Sequence, residues 1–277
     1  MKISIVGLGF VGNSAYTSFR NKIQELNIPE NKYVIHGYDK FKNGGIGKFE
    51  DCLDSDIIVT ALPTLYDDSL KSYDNSPTNE VVKSLAEAGY TKLVVIKSTV
   101  EPTYTENLAK LYPQISFVHN PEFLTARTAY EDFHNQSHII LGKSSSCSDE
   151  HNNNIKLFYS EFYPNAVISE CTCTESECIK IYCNTFYAVK IQYFNELYLL
   201  SQKLNCDHET VTKLMIKNGW INEMHTKCPG PDGLLSYGGL CFPKDTNSLL
   251  QFMIKNGSPC DVLKATIKER NEMRNDK

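Results

Sequence analysis

Residues 2–12 read KISIVGLGFVG, and this stretch decides the fold. Ile3, Ile5 and Val6 make a short apolar strand, Gly7-Leu8-Gly9-Phe10-Val11-Gly12 follows at once, and helix-compatible sequence runs on to Leu26. A glycine-rich turn from strand into helix is the pattern of a dinucleotide-binding unit. Gly7 permits the tight turn, Gly9 lets backbone amides approach a pyrophosphate, and Gly12 lets the helix pack on the strand. The helix N-terminus then favours the anion. The second strand, Tyr33 to Tyr38, ends at Asp39, whose carboxylate can accept from both ribose hydroxyls and would repel a 2′-phosphate. NAD is therefore expected over NADP, with Lys40 as the one contrary charge. Asp39 follows Gly12 by 39 − 12 = 27 residues, against about 20 in the usual pattern; a polar loop around Asn27 to Lys32 takes up the surplus. The candidate cofactor residues here are Gly7, Gly9, Phe10, Val11, Gly12, Asp39 and Lys40.

Strand-like and helix-like runs alternate from this start: Asp56 to Leu62, Asn79 to Ala88, Leu93 to Ile96, Ile115 to Val118, Ser137 to Leu141 and Ala166 to Ser169. The alternation predicts an α/β fold, a Rossmann-like doubly wound parallel sheet over residues 1–172. Thr174 to Leu204 then lacks Gly and Pro, and Ile179, Tyr182, Phe186, Val189, Tyr193, Leu197 and Leu200 recur at helical spacing. One long helix is expected, then a short helix around Val211 to Met215, a Gly- and Pro-rich loop from Gly219 to Gly239, and helices from Pro243 and near Pro259. Residues 173–277 thus read as a small all-helical domain.

Composition narrows the function. In 277 residues, 28 Lys+Arg against 33 Asp+Glu leave a net charge of −5, which excludes a strongly basic nucleic-acid binder. No apolar run reaches the roughly 18 residues of a membrane span, and no signal-peptide core is present; a cytoplasmic protein with neither a nucleic-acid nor a membrane partner is expected. Ten cysteines are too sparse for a disulfide scaffold. No CxxC pair occurs, and Cys178 and Cys183, five apart, diverge by about 140° on a helix. These are packing cysteines, and no metal is expected.

The chemistry comes from SYGGLCFPKDT, residues 236–246. Gly238 and Gly239 free the backbone to approach a ligand, Cys241 offers a nucleophile, and Pro243 suits the first turn of a helix. A thiol at a helix N-terminus beside Lys244 is favoured as thiolate.

This segment resembles the catalytic-cysteine segment of the UDP-glucose/GDP-mannose dehydrogenases. KSTV at 97–100, NPEFL at 120–124 and Lys180 to Asn184 leading into KIQYFNE at 190–196 are similar to that family in the same order. The resemblance covers nearly the whole chain. It implies NAD-dependent oxidation of the C6 alcohol of a nucleotide sugar, UDP-glucose to UDP-glucuronate, in two hydride transfers through a thiohemiacetal and a thioester on Cys241. GDP-mannose and a UDP-N-acetylhexosamine are the alternative substrates, and an NAD-binding relative without catalysis is the alternative activity.

By the same resemblance Lys180 stabilises oxyanion charge, Asn184, one turn on, binds near the same oxygen, and Asp245 assists proton transfer. Thr99 and Glu122 hold a water or sugar hydroxyl at strand ends, Pro63, Thr64, Thr99 and Lys244 face the cofactor, and Glu122, Phe123, Leu124, Lys180, Asn184, Tyr237, Gly238 and Gly239 the sugar. Two departures are visible: Ala126 stands where relatives often carry an acid, and relatives continue into a C-terminal nucleotide-gripping domain beyond the position of Lys277. Cys228 to Gly233 is a candidate substitute for that grip. Relatives pair through the long helix, so a homodimer is expected.

Overall fold

The computed structural model describes residues 1–125 and 127–276. It divides into two compact units, the first made of Met1–Thr64 and Asp74–Lys180, the second of Leu65–Tyr73 and Ile181–Lys277.

The first unit contains β1 (Lys2–Val6), α1 (Phe10–Glu25), β2 (Val34–Tyr38) and β3 (Ile57–Thr60). It continues with α2 (Ser76–Glu87), β6 (Leu93–Ile96), α3 (Tyr104–Leu111), β7 (Ser116–His119), α4 (Ala129–His134), β8 (His138–Lys143), α5 (Asp149–Phe162) and β9 (Val167–Thr172). Seven strands form one sheet in the order β2-β1-β3-β6-β7-β8-β9. Both faces are apolar, as a sheet covered by helices on both sides requires. Ile3, Ile5, Ile57, Val59, Leu93 and Val95 point into one core with Phe19 of α1 and Phe158 and Phe162 of α5. Val6, Ile58, Val94, Ile96 and Phe117 point into the other with Val82 and Leu85 of α2. Each fully buried Phe or Ile contributes about 1.5–3 kcal/mol by removal from water. Phe19 alone meets Phe133, Phe158 and Phe162 edge-on at 4.9–5.6 Å.

The expected sheet is all-parallel; the observed one is parallel except at β7–β8, where Val118 and His119 pair antiparallel with Lys143 and Gly142. Strand β8 enters from the short helix α4, which is too brief to carry the chain back along a full crossover. Strand β9 is again parallel to β8.

The second unit holds the hairpin β4 (Tyr66–Asp67) and β5 (Ser72–Tyr73), then α7 (His208–Ile216), α8 (Phe242–Lys255) and α9 (Asp261–Met273). Helix α6 (Cys173–Lys203) begins in the first unit and supplies the second from Ile181 onward. Tyr73, Ile181, Leu249, Leu250 and Leu263 form the second unit's core, with Val189 and Met253 packed on it. The hairpin therefore belongs with the helices rather than with residues 1–172, where sequence order puts it. No helix among the described residues is long and apolar enough to cross a membrane.

Candidate active site

The glycine-rich turn forms as its sequence demands. Gly7 has φ +88°, a left-handed conformation that disfavours a side chain, and a Cβ on Gly12 would collide with the Gly7 carbonyl. Gly9 caps α1, whose first turn carries no acidic residue, so its amides keep their affinity for an anion. A Cβ on Gly9 would meet nothing within 4 Å; it would stand in a cleft of about 560 Å³ lined by Leu8, Asn13, Asp39, Arg127 and Tyr130. Phe10 is exposed and Val11 half-buried beside it. This open cradle fits a dinucleotide.

Asp39 accepts from the amides of Leu8 at 2.7 Å, Phe41 at 2.9 Å and Lys42 at 2.8 Å. Burial opposes its charge, but the amides of Lys42, Phe41 and Leu8 outweigh burial and hold the carboxyl below its ordinary range. A carboxylate offers about four acceptor positions, so roughly one remains for a ribose hydroxyl. Lys40 points to Glu80 at 3.0 Å. Lys42, which the sequence reading does not single out, reaches Leu8 O at 2.6 Å and braces the turn.

The carboxyl ends of β3, β6 and β7 carry the next group. Thr64, buried after an exposed Pro63, donates to Thr99 O at 2.8 Å. Ser98 Oγ donates to Leu62 O at 2.7 Å and accepts from Leu62 N, tying β6 to β3. Glu122 accepts from Leu124 N at 2.7 Å and pairs with Lys180 Nζ at 3.1 Å. The Lys180 ammonium also lies 5.2 Å from the Phe123 ring centroid. Leu124 packs against the first core. The expected departure at Ala126 lies outside the described residues.

Beneath Glu122 lies a feature absent from the sequence reading. Lys97 is buried and donates to Asn120 O at 3.2 Å and Oδ1 at 2.9 Å. Tyr159 donates to the same Oδ1 at 2.6 Å, and Asn120 Nδ2 donates to Ile140 O. Burial, with the Lys180 charge, pushes Lys97 down to about 7 against the pull of Glu122. Burial likewise pushes His119 down to about 3. KSTV and HNP contain these residues, but a lysine in a surface-like motif gives no sign of burial.

In the second unit Cys241 is exposed at the N-cap of α8, with Pro243 in the first turn. Asp245 is fully buried one turn in, its amide bonded to Cys241 O at 3.0 Å. Its carboxylate accepts from Asn184 Nδ2 at 2.6 Å, from Lys244 Nζ at 2.5 Å and from the Tyr73 hydroxyl. Lys244 also lies 4.6 Å from the Tyr73 ring centroid. Tyr73 is the residue sequence reasoning missed here, since 172 positions separate it from Asp245. Tyr237 is buried, its hydroxyl on Thr246 Oγ1 at 3.4 Å, so its side chain points into the protein. Gly239 has φ +76°. Among the described residues no group of three or more His, Cys, Asp or Glu could hold a metal ion.

The glycine cradle and the Asp39 carboxylate define a dinucleotide-binding fold. Residues 45–163 match the model of the UDP-glucose/GDP-mannose dehydrogenase family, NAD binding domain, and residues 174–272 match the same family's central domain. The glycine turn and Asp39 precede the first match. A UDP-glucose 6-dehydrogenase of Campylobacter jejuni is 28% identical over 304 aligned positions, covering 99% of this chain and 72% of that one. Among solved structures, a UDP-glucose dehydrogenase from Pyrobaculum islandicum superposes with a TM-score of 0.77 at 22% identity, over 98% of this chain and 68% of that one. A UDP-D-ManNAc dehydrogenase from Pyrococcus horikoshii superposes with a TM-score of 0.79 at 20% identity, over 99% and 69%. The chain belongs to the UDP-glucose/GDP-mannose dehydrogenase family of NAD-dependent oxidoreductases, and NAD is its cofactor.

Proposed function

We propose that the chain oxidises the C6 alcohol of a nucleotide sugar to the carboxylate, with UDP-glucose as the first substrate to test. The observation that carries the reading is an exposed thiol, Cys241, at the N-cap of α8, one turn from a buried carboxylate held by Asn184 and Tyr73. Bound NAD supplies the hydride acceptor for each of the two oxidations.

The protein's own groups do the rest. The Cys241 sulfur adds to the C6 aldehyde and forms a C–S bond, giving a thiohemiacetal; loss of a hydride and a proton converts it to a thioester. Water then adds to the thioester carbon, the C–S bond breaks, and the thiol returns. Asp245 takes and returns protons in these steps. Lys180 and Asn184 stabilise negative charge developing on the C6 oxygen, while Thr99 and Glu122 hold a hydroxyl or water. Gly7, Gly9, Gly12 and Asp39 hold the cofactor, with Pro63, Thr64 and Lys244 at its reactive end. Phe123, Leu124 and the backbone of Tyr237, Gly238 and Gly239 contact the sugar.

The partner in the assembly is a second copy of the chain. Tyr182, Phe186, Tyr193 and Leu200 lie at helical spacing on α6 and are each at least half exposed, an apolar stripe that pairing would cover.

The test is NADH formation by the purified chain with UDP-glucose, counted per sugar. About two NADH per sugar from the parent, and no carboxylate product from Cys241→Ser, is the expected result. Absence of NADH with UDP-glucose, GDP-mannose and UDP-N-acetylmannosamine alike, while NAD still binds, would overturn the reading in favour of a non-catalytic relative.

A further inference from the structure

The segment that leads into Cys241 follows a path the chain does not choose by itself. Ser236 has φ +59° and Gly239 φ +76°, and a serine in the left-handed region persists only where its surroundings hold it. Three consecutive carbonyls of this segment are taken by two guanidinium groups from the end of α9. Arg274 Nη1 donates to Leu235 O at 3.2 Å and Ser236 O at 3.3 Å, and Arg270 Nε donates to Tyr237 O at 3.2 Å. From the opposite side, α6 holds Ser236 through Asn195 Oδ1, which accepts from Ser236 N at 2.9 Å, and through Gln192 Oε1, which accepts from Ser236 Oγ.

Both guanidinium groups are buried, with side-chain exposures of 7% for Arg270 and 3% for Arg274. Burying two cations is unfavourable unless they are paired. Here Arg274 pairs with Asp232 at 2.7 Å and with both oxygens of Asp276, and Arg270 pairs with Asp276 at 2.6 Å. The fit is close enough that a Cβ on Gly238 would run into the Arg274 guanidinium. Together these groups fix the backbone through Tyr237, four residues before Cys241.

We propose that Arg274, assisted by Arg270, is a positioning residue for Cys241: the guanidinium clamp on residues 235–237 sets where the thiol stands at the N-cap of α8. Its effect on turnover rests on the covalent role proposed above for Cys241; its effect on the thiol does not. A thiol held at a helix N-terminus reacts faster than one in a loose loop. Cys241 is already exposed, so releasing the clamp adds little access and removes the helix-terminus environment. Cys206, also exposed and in the same unit, is the internal control.

The experiment is site-resolved alkylation of the full chain by iodoacetamide, followed by mass spectrometry, on the parent, Arg274→Gln and Arg274→Lys, with NADH turnover beside it. In Arg274→Gln the Cys241 rate relative to Cys206 is expected to fall about three-fold or more, as the thiol leaves the helix terminus. Turnover number is expected to fall about ten- to a hundred-fold, with KM for NAD unchanged, the size of effect a displaced reacting group produces. Arg274→Lys, which keeps the charge but not the two-carbonyl fork, is expected to lie between. If Arg274→Gln does not fold, Asp232→Asn weakens the same clamp from its half-exposed end and is read in the same way. A parental Cys241/Cys206 ratio in a folded variant, or an equal change at both thiols, overturns the proposal. Should the parent turn over no nucleotide sugar, that ratio still decides for or against the clamp.

Discussion

Asn184 of α6 donates its side-chain amide to Asp245 of α8 at 2.6 Å, and both side chains are buried. A carboxylate sealed from water needs its acceptor sites filled, and this amide fills one of them. Asp245→Asn keeps the shape and removes the proton acceptor. It is expected to lower the turnover number about 10²- to 10⁴-fold, measured as NADH release at saturating NAD and sugar. Asn184→Ala strips a donor from the buried carboxylate and should cost about 1–3 kcal/mol in urea unfolding; unchanged stability would mean the amide is not needed there.

Lys180 and Glu122 form an ion pair at 3.1 Å with side-chain exposures of 5% and 12%. Removing one partner of such a pair leaves the other charge buried. Lys180→Met should therefore destabilise the chain by about 3 kcal/mol and lower turnover about 10²- to 10³-fold through loss of oxyanion stabilisation. Paired denaturation curves and steady-state rates read the two effects separately.

Gly12→Ala places a Cβ against the Gly7 carbonyl, a backbone atom that cannot swing aside. The turn must open, and NAD titration by calorimetry is expected to show binding weakened at least about ten-fold, since the turn must present its amides to the pyrophosphate. Near-parental affinity would assign the dinucleotide to another place on the sheet.

The buried Lys97 makes stability depend on pH in a defined direction. Its folded value is near 7 and its unfolded value 10.5, so between these the unfolded chain binds the extra proton. Stability from this group is complete above the unfolded value and is lost as pH falls through about 7. The unfolding free energy of the parent relative to Lys97→Met should therefore fall, by an amount on the order of a few kcal/mol, as pH drops from ten to seven, and then level off. A difference that stays flat across that window would place the ammonium in contact with water.

Phe186→Glu puts a charge in the exposed stripe of α6. Light scattering is expected to give the mass of two chains for the parent and of one for the variant; a monomeric parent would remove the stripe from the interface.

Much of this was legible in advance where one residue type had one physical use. Gly7 and Gly12 admit no side chain, and the Gly- and Pro-free run after Cys173 could only be one helix. The antiparallel β7–β8 junction was not legible, because Ile139 to Leu141 is apolar on both faces and reads the same in either direction. Nor was the face of α6: its buried side includes Asn184, Thr185, Gln192 and Asn195, while Tyr182, Phe186 and Tyr193 face outward, so spacing located the helix without telling which side is covered. Tyr73 and Lys97 escaped notice for the converse reason, that their roles depend on partners distant in sequence.

The assignment of Leu65–Tyr73 to the helical unit means that the polypeptide passes between the two units at three points, after Thr64, after Tyr73 and after Lys180. No single cleavage can then yield two self-sufficient fragments. Residues 1–180 expressed alone would carry a hairpin whose tyrosine has lost Asp245, and residues 181–277 would carry an aspartate that has lost its tyrosine. Separating the two units takes three cuts, one at each of these points, and a rejoining of the hairpin to the helices.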